Sequence, residues 1–112
     1  MESVRQNKVA RLLQKELGEI FQRESKNLFG GIFITVTQVR VSPDLRETKI
    51  YLSLFLAKDK NAILKLIVEK TPEIRKRLGD KVKNQLRTVP NLAFFIDDSL
   101  DYAMKIEELL KK

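Results

Sequence analysis

Apolar residues recur at helical spacing near the start of the chain. The positions that form this apolar helix face are Val9, Leu12, Leu13, Leu17, Ile20 and Phe21. Ser3, with Gln6 three residues later, matches a capping box. The pattern therefore predicts a first helix from Val4 to Arg23, and the pair Gly30-Gly31 separates this helix from the next segment.

The next part of the chain has the composition and period of strands. Residues 32–41 are rich in β-branched side chains, and residues 48–56 alternate apolar with polar positions except at Phe55. Ser42-Pro43-Asp44 between them has turn chemistry. The two segments are predicted to form an antiparallel hairpin with one buried face and one face in water.

Two helices with a sharp corner between them, or one strongly kinked helix, come next, and a third strand comes after them. Asn61 is placed to cap a helix that Thr71-Pro72 ends, because proline fits a first turn but not a helix interior, and Thr71 is placed to cap the next helix. The apolar face of that third helix comprises Ile74, Leu78, Val82, Leu86 and Val89. Pro90 predicts that the helix ends near Thr88. Residues 92–96 form the third strand, and Asp98 or Ser99 caps a last amphipathic segment with Ala103, Ile106 and Leu110.

This αββααβ order with a short C-terminal helix predicts an α+β protein. The 112 residues fit a single domain over residues 1–112, with a three-stranded sheet and helices on one face. The order is the one that type II KH domains use, and these domains bind RNA. Strand order by itself is weak evidence for function.

The charge of the chain narrows the class of partner. The net charge is +7 and the pI is near 9.8, which favours nucleic acid over an anionic membrane surface or an acidic protein. Cysteine and histidine are absent, which removes the usual metal ligands and the commonest general base. The adjacent carboxylates Asp97 and Asp98 are better explained by capping than by catalysis. We expect no enzyme activity, cofactor, metal or small-molecule substrate.

No apolar run approaches the roughly 20 residues that span a bilayer, and the N-terminus has no apolar signal core. No sustained heptad seam is present. We therefore expect a cytoplasmic monomer without a membrane segment.

Basic residues concentrate in two rows that predict phosphate contacts. On the first helix the row is Arg5, Lys8, Arg11 and Lys15, and on the third helix Lys76, Lys83 and Arg87 share one face with Asp80. Arg75 flanks the apolar face of the third helix, and Lys70 lies at the corner before it. The alternative is that both rows are ordinary solvated helix faces.

Aromatic rings could add stacking platforms for single-stranded RNA. The candidates are Phe33, Tyr51, Phe55, Phe94, Phe95 and Tyr102. Most are predicted to lie in the core, and Tyr51 alone is predicted to be exposed because it lies on the wet side of its strand.

The residues resemble the ribosome-binding factor A family over nearly the whole chain. The matching pieces, in order, are Arg5-x-x-Lys8-Val9, Val36-Thr37-x-Val39-x-Val41-Ser42-x-Asp44-Leu45, Ile50-Tyr51-Leu52-Ser53, Ile74-Arg75-x-x-Leu78-Gly79 and Leu86-Arg87-x-Val89-Pro90-x-Leu92-x-Phe94-Phe95-x-Asp97-x-Ser99. The KH loop G-x-x-G is absent, and Lys70-Thr71-Pro72 stands where the family usually has Ala-x-Gly at the kink between two helices.

The resemblance implies a type II KH-like bacterial assembly factor that is not an enzyme. Such factors bind the free 30S subunit and its 16S rRNA, promote late maturation at the rRNA 5′ end, and matter most in the cold. Two other interpretations stay open. One is a general single-stranded RNA-binding module that acts off the ribosome, and the other is a structural protein that binds an acidic protein partner.

Overall fold

The computed structural model describes residues 3–54 and 57–110. Its elements are α1 (Val4–Arg23), α2 (Ser25–Leu28), β1 (Thr35–Val41), β2 (Glu47–Ser53), α3 (Lys60–Glu69), α4 (Thr71–Val82), β3 (Asn91–Ile96) and α5 (Ser99–Leu110). The predicted α+β order is confirmed, and the short α2 is an addition. The last two residues of the predicted second strand, 55–56, lie outside the described residues.

The three strands form one sheet in the order β1-β2-β3. Strands β1 and β2 are antiparallel, and β2 and β3 are parallel. Strand β1 begins at Thr35 and not at Ile32 as predicted. The Ile32 amide donates to the carbonyl of Phe29 at 3.2 Å, so Ile32 still belongs to the turn that contains Gly30 and Gly31, whose φ angles are 62° and 82°. The register of β1 shifts between Val36 and Gln38, which makes Thr37 a bulge residue.

The core lies between α1, α4 and one face of the sheet. Leu13, Leu17 and Phe21 on α1 are buried, and so are the inward positions of the strands, such as Ile50 and Phe94. The ring of Phe21 meets that of Phe94 edge-on, with centroids 6.0 Å apart. The strand residues between the buried positions point to the other face, which the helices leave open.

The corner between α3 and α4 is a single residue, Lys70, as the proline predicts. Thr71 does not cap α4. Its hydroxyl instead donates to the carbonyl of Ile67 at 3.2 Å, one turn back in α3, so the side chain stabilises the corner rather than the new helix. The cap of α3 is likewise Asp59, whose carboxylate accepts from the Ala62 amide at 3.0 Å, and not Asn61.

Helix α4 ends at Val82, six residues before the predicted end at Thr88. Ile74, Leu78 and Val82 are buried as predicted, but Leu86 and Val89 belong to the loop that comes after the helix. They are half-buried because that loop turns back and packs on the same core. Within the described residues, no helix combines the length and the hydropathy needed to cross a membrane.

Candidate nucleic-acid interface

A cavity of about 430 Å³ opens where the start of α1, the β1–β2 turn and the α4–β3 loop meet. We call it the cationic cavity, because its lining includes four arginines and a single acidic residue, Asp44. The residues that line it are Arg5, Val9, Asp44, Leu45, Arg46, Arg75, Gln85, Leu86, Arg87, Thr88, Val89, Pro90 and Asn91. A concave site with this excess of positive charge concentrates anions.

The first turn of α1 is fixed by the capping box that its sequence predicts. The Ser3 hydroxyl accepts from the Gln6 amide at 3.1 Å, and the Gln6 side-chain oxygen accepts from the Ser3 amide at 2.8 Å. The buried Gln6 Nε2 also donates to the carbonyl of Val41 at 2.8 Å. One side chain thereby caps the helix and ties it to the end of β1, which holds Arg5 at the cavity.

The β1–β2 turn is held by Ser42 and Asp44. The Ser42 hydroxyl donates to Asp44 Oδ1 at 2.6 Å, and the Arg46 amide donates to the same oxygen at 3.1 Å. The Ser42 hydrogen bond, together with the smaller effects of the amide bond and the nearby charge of Arg46, lowers the pKa of Asp44, so its carboxylate is ionised at neutral pH. Leu45 has φ of 61°, a left-handed conformation that is uncommon for leucine. The tight turn directs the chain so that Arg46 lines the cavity.

The α4–β3 loop is anchored to α4 by Arg75. Its Nη2 donates to the carbonyl of Val89 at 2.7 Å and its Nε to that of Pro90 at 3.3 Å. One turn further along α4, a Cβ on Gly79 would lie 3.3 Å from Val89 Cγ2, so the missing side chain lets the loop approach the helix. These contacts draw the loop back along α4 and hold Arg87 at the cavity.

The nine predicted contact residues are only partly brought together. Arg5, Arg75 and Arg87 line the cationic cavity. The single stripe predicted for the third helix is wrong, because Lys76 lies within α4 whereas Lys83 comes after its last residue and Arg87 lies in the loop. Lys8, Arg11 and Lys15 are all exposed along α1. Lys76 and Lys83 are also exposed, and Lys70 is half-buried at the corner.

Arg46 is the cavity residue that reasoning on helix faces missed. Its only local signal is its position directly after a turn that joins two strands. In the part of the chain that the structure describes, the guanidinium groups of Arg5, Arg46 and Arg87 form no hydrogen bond or ion pair. We call them the three free arginines. Arg75 differs, because its guanidinium donates hydrogen bonds to the loop carbonyls.

The described aromatic residues correct the prediction that Tyr51 alone would be exposed. Phe94 is buried, but Phe33, Phe95 and Tyr102 are substantially exposed, and Tyr51 is half-buried on the open face of the sheet. Phe55 lies outside the described residues.

The adjacent carboxylate residues lie at the start of α5: Asp97 Oδ1 accepts from the Ser99 amide at 3.0 Å, and the Asp98 carbonyl accepts from the Tyr102 amide.

The fold and the cationic cavity define an α+β protein of the KH-like class with a surface suited to a polyanion. The sequence model of the family "Ribosome-binding factor A" matches residues 5–110. The chain is 53% identical over its whole length to ribosome-binding factor A of Cytophaga hutchinsonii, covering 84% of that protein. It is 43% identical to that of Flavobacterium johnsoniae, over 98% of this chain and 85% of the relative. The protein belongs to the ribosome-binding factor A family.

Solved structures agree with this assignment of the fold. The crystal structure of ribosome-binding factor A from Thermus thermophilus superposes with a TM-score of 0.68 at 21% identity, over 81% of this chain and 94% of that one. A homology model of the Thermus thermophilus protein, fitted into the cryo-EM map of its complex with 30S, gives a TM-score of 0.64 at 26% identity. It covers 80% of this chain and 91% of that one.

Proposed function

We propose that this protein binds the free 30S ribosomal subunit in the cytoplasm, contacts its 16S rRNA, and promotes late maturation of the rRNA 5′ end without catalysing a reaction. The observation that carries the proposal is the cationic cavity, where three elements bring together the three free arginines. Membership of the ribosome-binding factor A family and the 30S complex of the Thermus thermophilus relative support the choice of partner.

Arginine suits this role because its planar fork can donate two hydrogen bonds to one phosphate. The cations of α1, namely Lys8, Arg11 and Lys15, extend the positive surface along the helix that leads away from Arg5. A rigid surface that fits one arrangement of rRNA phosphates better than another raises the population of the first arrangement. Maturation then needs no chemistry from the protein. Such help matters most in the cold, where misfolded RNA helices resolve slowly.

The test is co-sedimentation with purified small subunits in a sucrose gradient. The variant Arg5→Glu with Arg87→Glu reverses two charges in the cavity, and we expect it to move from the subunit fraction to the top of the gradient. The matched control, Lys26→Glu with Lys65→Glu, makes the same change in net charge at exposed positions outside the cavity. It should sediment like the unchanged protein.

Two outcomes would contradict the proposal. If both double variants stay with the subunit at moderate salt, the cavity is not the contact surface. If free single-stranded RNA displaces the unchanged protein from subunits at equal nucleotide concentration, a general RNA-binding module explains it better. For maturation, cells that lack the protein should accumulate 16S rRNA with an unprocessed 5′ end at low temperature, and the cavity variant should not restore processing.

A further inference from the structure

The open face of the sheet carries two stacked aromatic rings. Tyr51 of β2 and Phe95 of β3 are partners in the parallel register, and their ring centroids lie 5.5 Å apart with an interplanar angle of 28°. The preceding residues Ile50 and Phe94 are buried toward the helices, so the two rings point the other way. Phe95 is 41% exposed. The fold therefore presents an aromatic platform to solvent, and the residues of this platform are not those of the cavity.

Two cations lie beside this platform. Arg40 and Lys49 are partners across β1 and β2, and both are exposed. Lys49 is two residues from Tyr51 along β2, a spacing of roughly 7 Å, which one nucleotide can span. The neighbour of Lys49 on β3 is Ala93, whose side chain is too small to cover either ring. When the amide of Gln38 is oriented for bonding, its oxygen accepts from Arg40 at 2.8 Å, which holds the guanidinium in place and leaves its charge unneutralised.

The acidic groups near the platform are already engaged. Asp97 Oδ2 accepts from the Thr37 hydroxyl at 2.6 Å, and its other oxygen accepts from the Ser99 amide. Glu47 accepts from the Asn91 side chain at 3.0 Å. In the described part of the chain, neither carboxylate forms an ion pair with Arg40 or Lys49. The two cations thus retain their charge for an incoming anion.

The character of this face fits RNA better than a protein partner. The large exposed aliphatic side chains of the described residues lie on helices, namely Val4, Val68, Ile106, Leu109 and Leu110. The sheet face presents two rings and two cations. This is little apolar surface for a stable protein interface, which buries on the order of 800 Å² on each side. Ring faces accept any nucleobase, and neighbouring cations accept its phosphate.

We propose that the open face binds single-stranded RNA, with a base stacked on the Tyr51–Phe95 pair and the adjoining phosphates at Arg40 and Lys49. This second surface shares with the proposed function only the assumption that the polyanion is RNA. It differs in residues and in mode, because the cavity offers charge and the open face offers stacking. A protein with both surfaces can hold a structured region and a neighbouring single strand at once.

The chain supplies its own reporter for binding at this face. It contains no tryptophan and two tyrosines, so Tyr102→Phe leaves Tyr51 as the sole tyrosine. Titration with a single-stranded RNA of about eight nucleotides should quench the fluorescence of Tyr51. In this background Phe95→Leu keeps an apolar side chain but removes the stacking partner, and we expect it to weaken binding by roughly 5- to 100-fold. Arg87→Gln should leave the quenching unchanged while it weakens co-sedimentation with small subunits.

Several outcomes would overturn the inference. The first is an absence of quenching, and the second is quenching that Phe95→Leu does not affect. The third is loss of binding in Phe95→Ala but not in Phe95→Leu, because that result would indicate simple apolar contact rather than stacking. Concentration-dependent dimerisation that Phe95→Ala abolishes would make a second copy the occupant instead. Because the Phe95 side chain is partly exposed, both variants should fold, and circular dichroism checks this. Subunit binding that survives in Phe95→Leu leaves the proposed function intact, so the two proposals fail separately.

Discussion

Arg75 offers the sharpest test of how the cavity is built. Sequence reasoning places it among the rRNA contacts, whereas in the structure its guanidinium bonds to the carbonyls of Val89 and Pro90. A hydrogen bond to a charged group contributes about 1.5–3 kcal/mol. The bond to Val89 is short at 2.7 Å and the bond to Pro90 is long at 3.3 Å, while the side chain is half-buried. We therefore expect Arg75→Ala to lower the free energy of unfolding by about 2 kcal/mol.

Urea unfolding followed by circular dichroism measures this change. With a slope of about 1–3 kcal/mol per molar urea, the midpoint should fall by roughly 1 M. Arg75→Lys should recover less than half of the loss, because lysine cannot bond two carbonyls through a planar fork. Arg87→Ala is the matched control, since its exposed side chain has no partner among the described residues, and its unfolding free energy should change by less than about 0.5 kcal/mol. Equal stability of the Arg75→Ala and Arg87→Ala proteins would refute the structural role.

Three further results are expected. Replacing the three free arginines by Gln should make the plot of log affinity against log salt concentration less steep. The slope should change by about 0.7–0.9 for each phosphate that the protein no longer neutralises. Binding to rRNA fragments at several salt concentrations measures this slope. Thr37→Val should raise the pKa of Asp97, which the hydrogen bonds of Ser99 and then Thr37 lower. A carboxylate with a lowered pKa in the folded state stabilises the protein above its unfolded-state pKa, and this stability is lost as the pH falls through its folded-state pKa. The Thr37→Val protein should therefore lose less stability in acid through Asp97. NMR titration and unfolding at several pH values measure these two effects. Glu24→Ala should lower the free energy of unfolding by about 1–3 kcal/mol, because the buried Glu24 carboxylate accepts a hydrogen bond from Arg77 at 3.0 Å. Thermal unfolding measures this change.

The apolar pattern that starts in α4 continues past the end of the helix. Ile74, Leu78 and Val82 continue into Leu86 and Val89 at helical spacing, and the pattern predicts a single long helix. The last two residues are half-buried for a different reason, because the loop packs back on the core. Periodicity reports which side chains are buried, and a loop held by tertiary contacts can continue it. The error in the helix end is also the reason why Arg87 is predicted on a helix face although it lies at the cavity.

The residues that sequence reasoning missed are those whose neighbours are set by the parallel pairing of β2 and β3. Arg46 lies at the cavity because the Asn91 amide donates to its carbonyl at 2.8 Å, a contact between residues far apart in the chain. Alternation along one strand correctly predicts Tyr51 on the wet face, since alternation is a local signal. Its partner Phe95 is predicted to lie in the core, because residues 92–96 are a continuous apolar run without alternation. A single sequence does not show which residues of two distant strands stand side by side, and both surfaces proposed for RNA depend on that register.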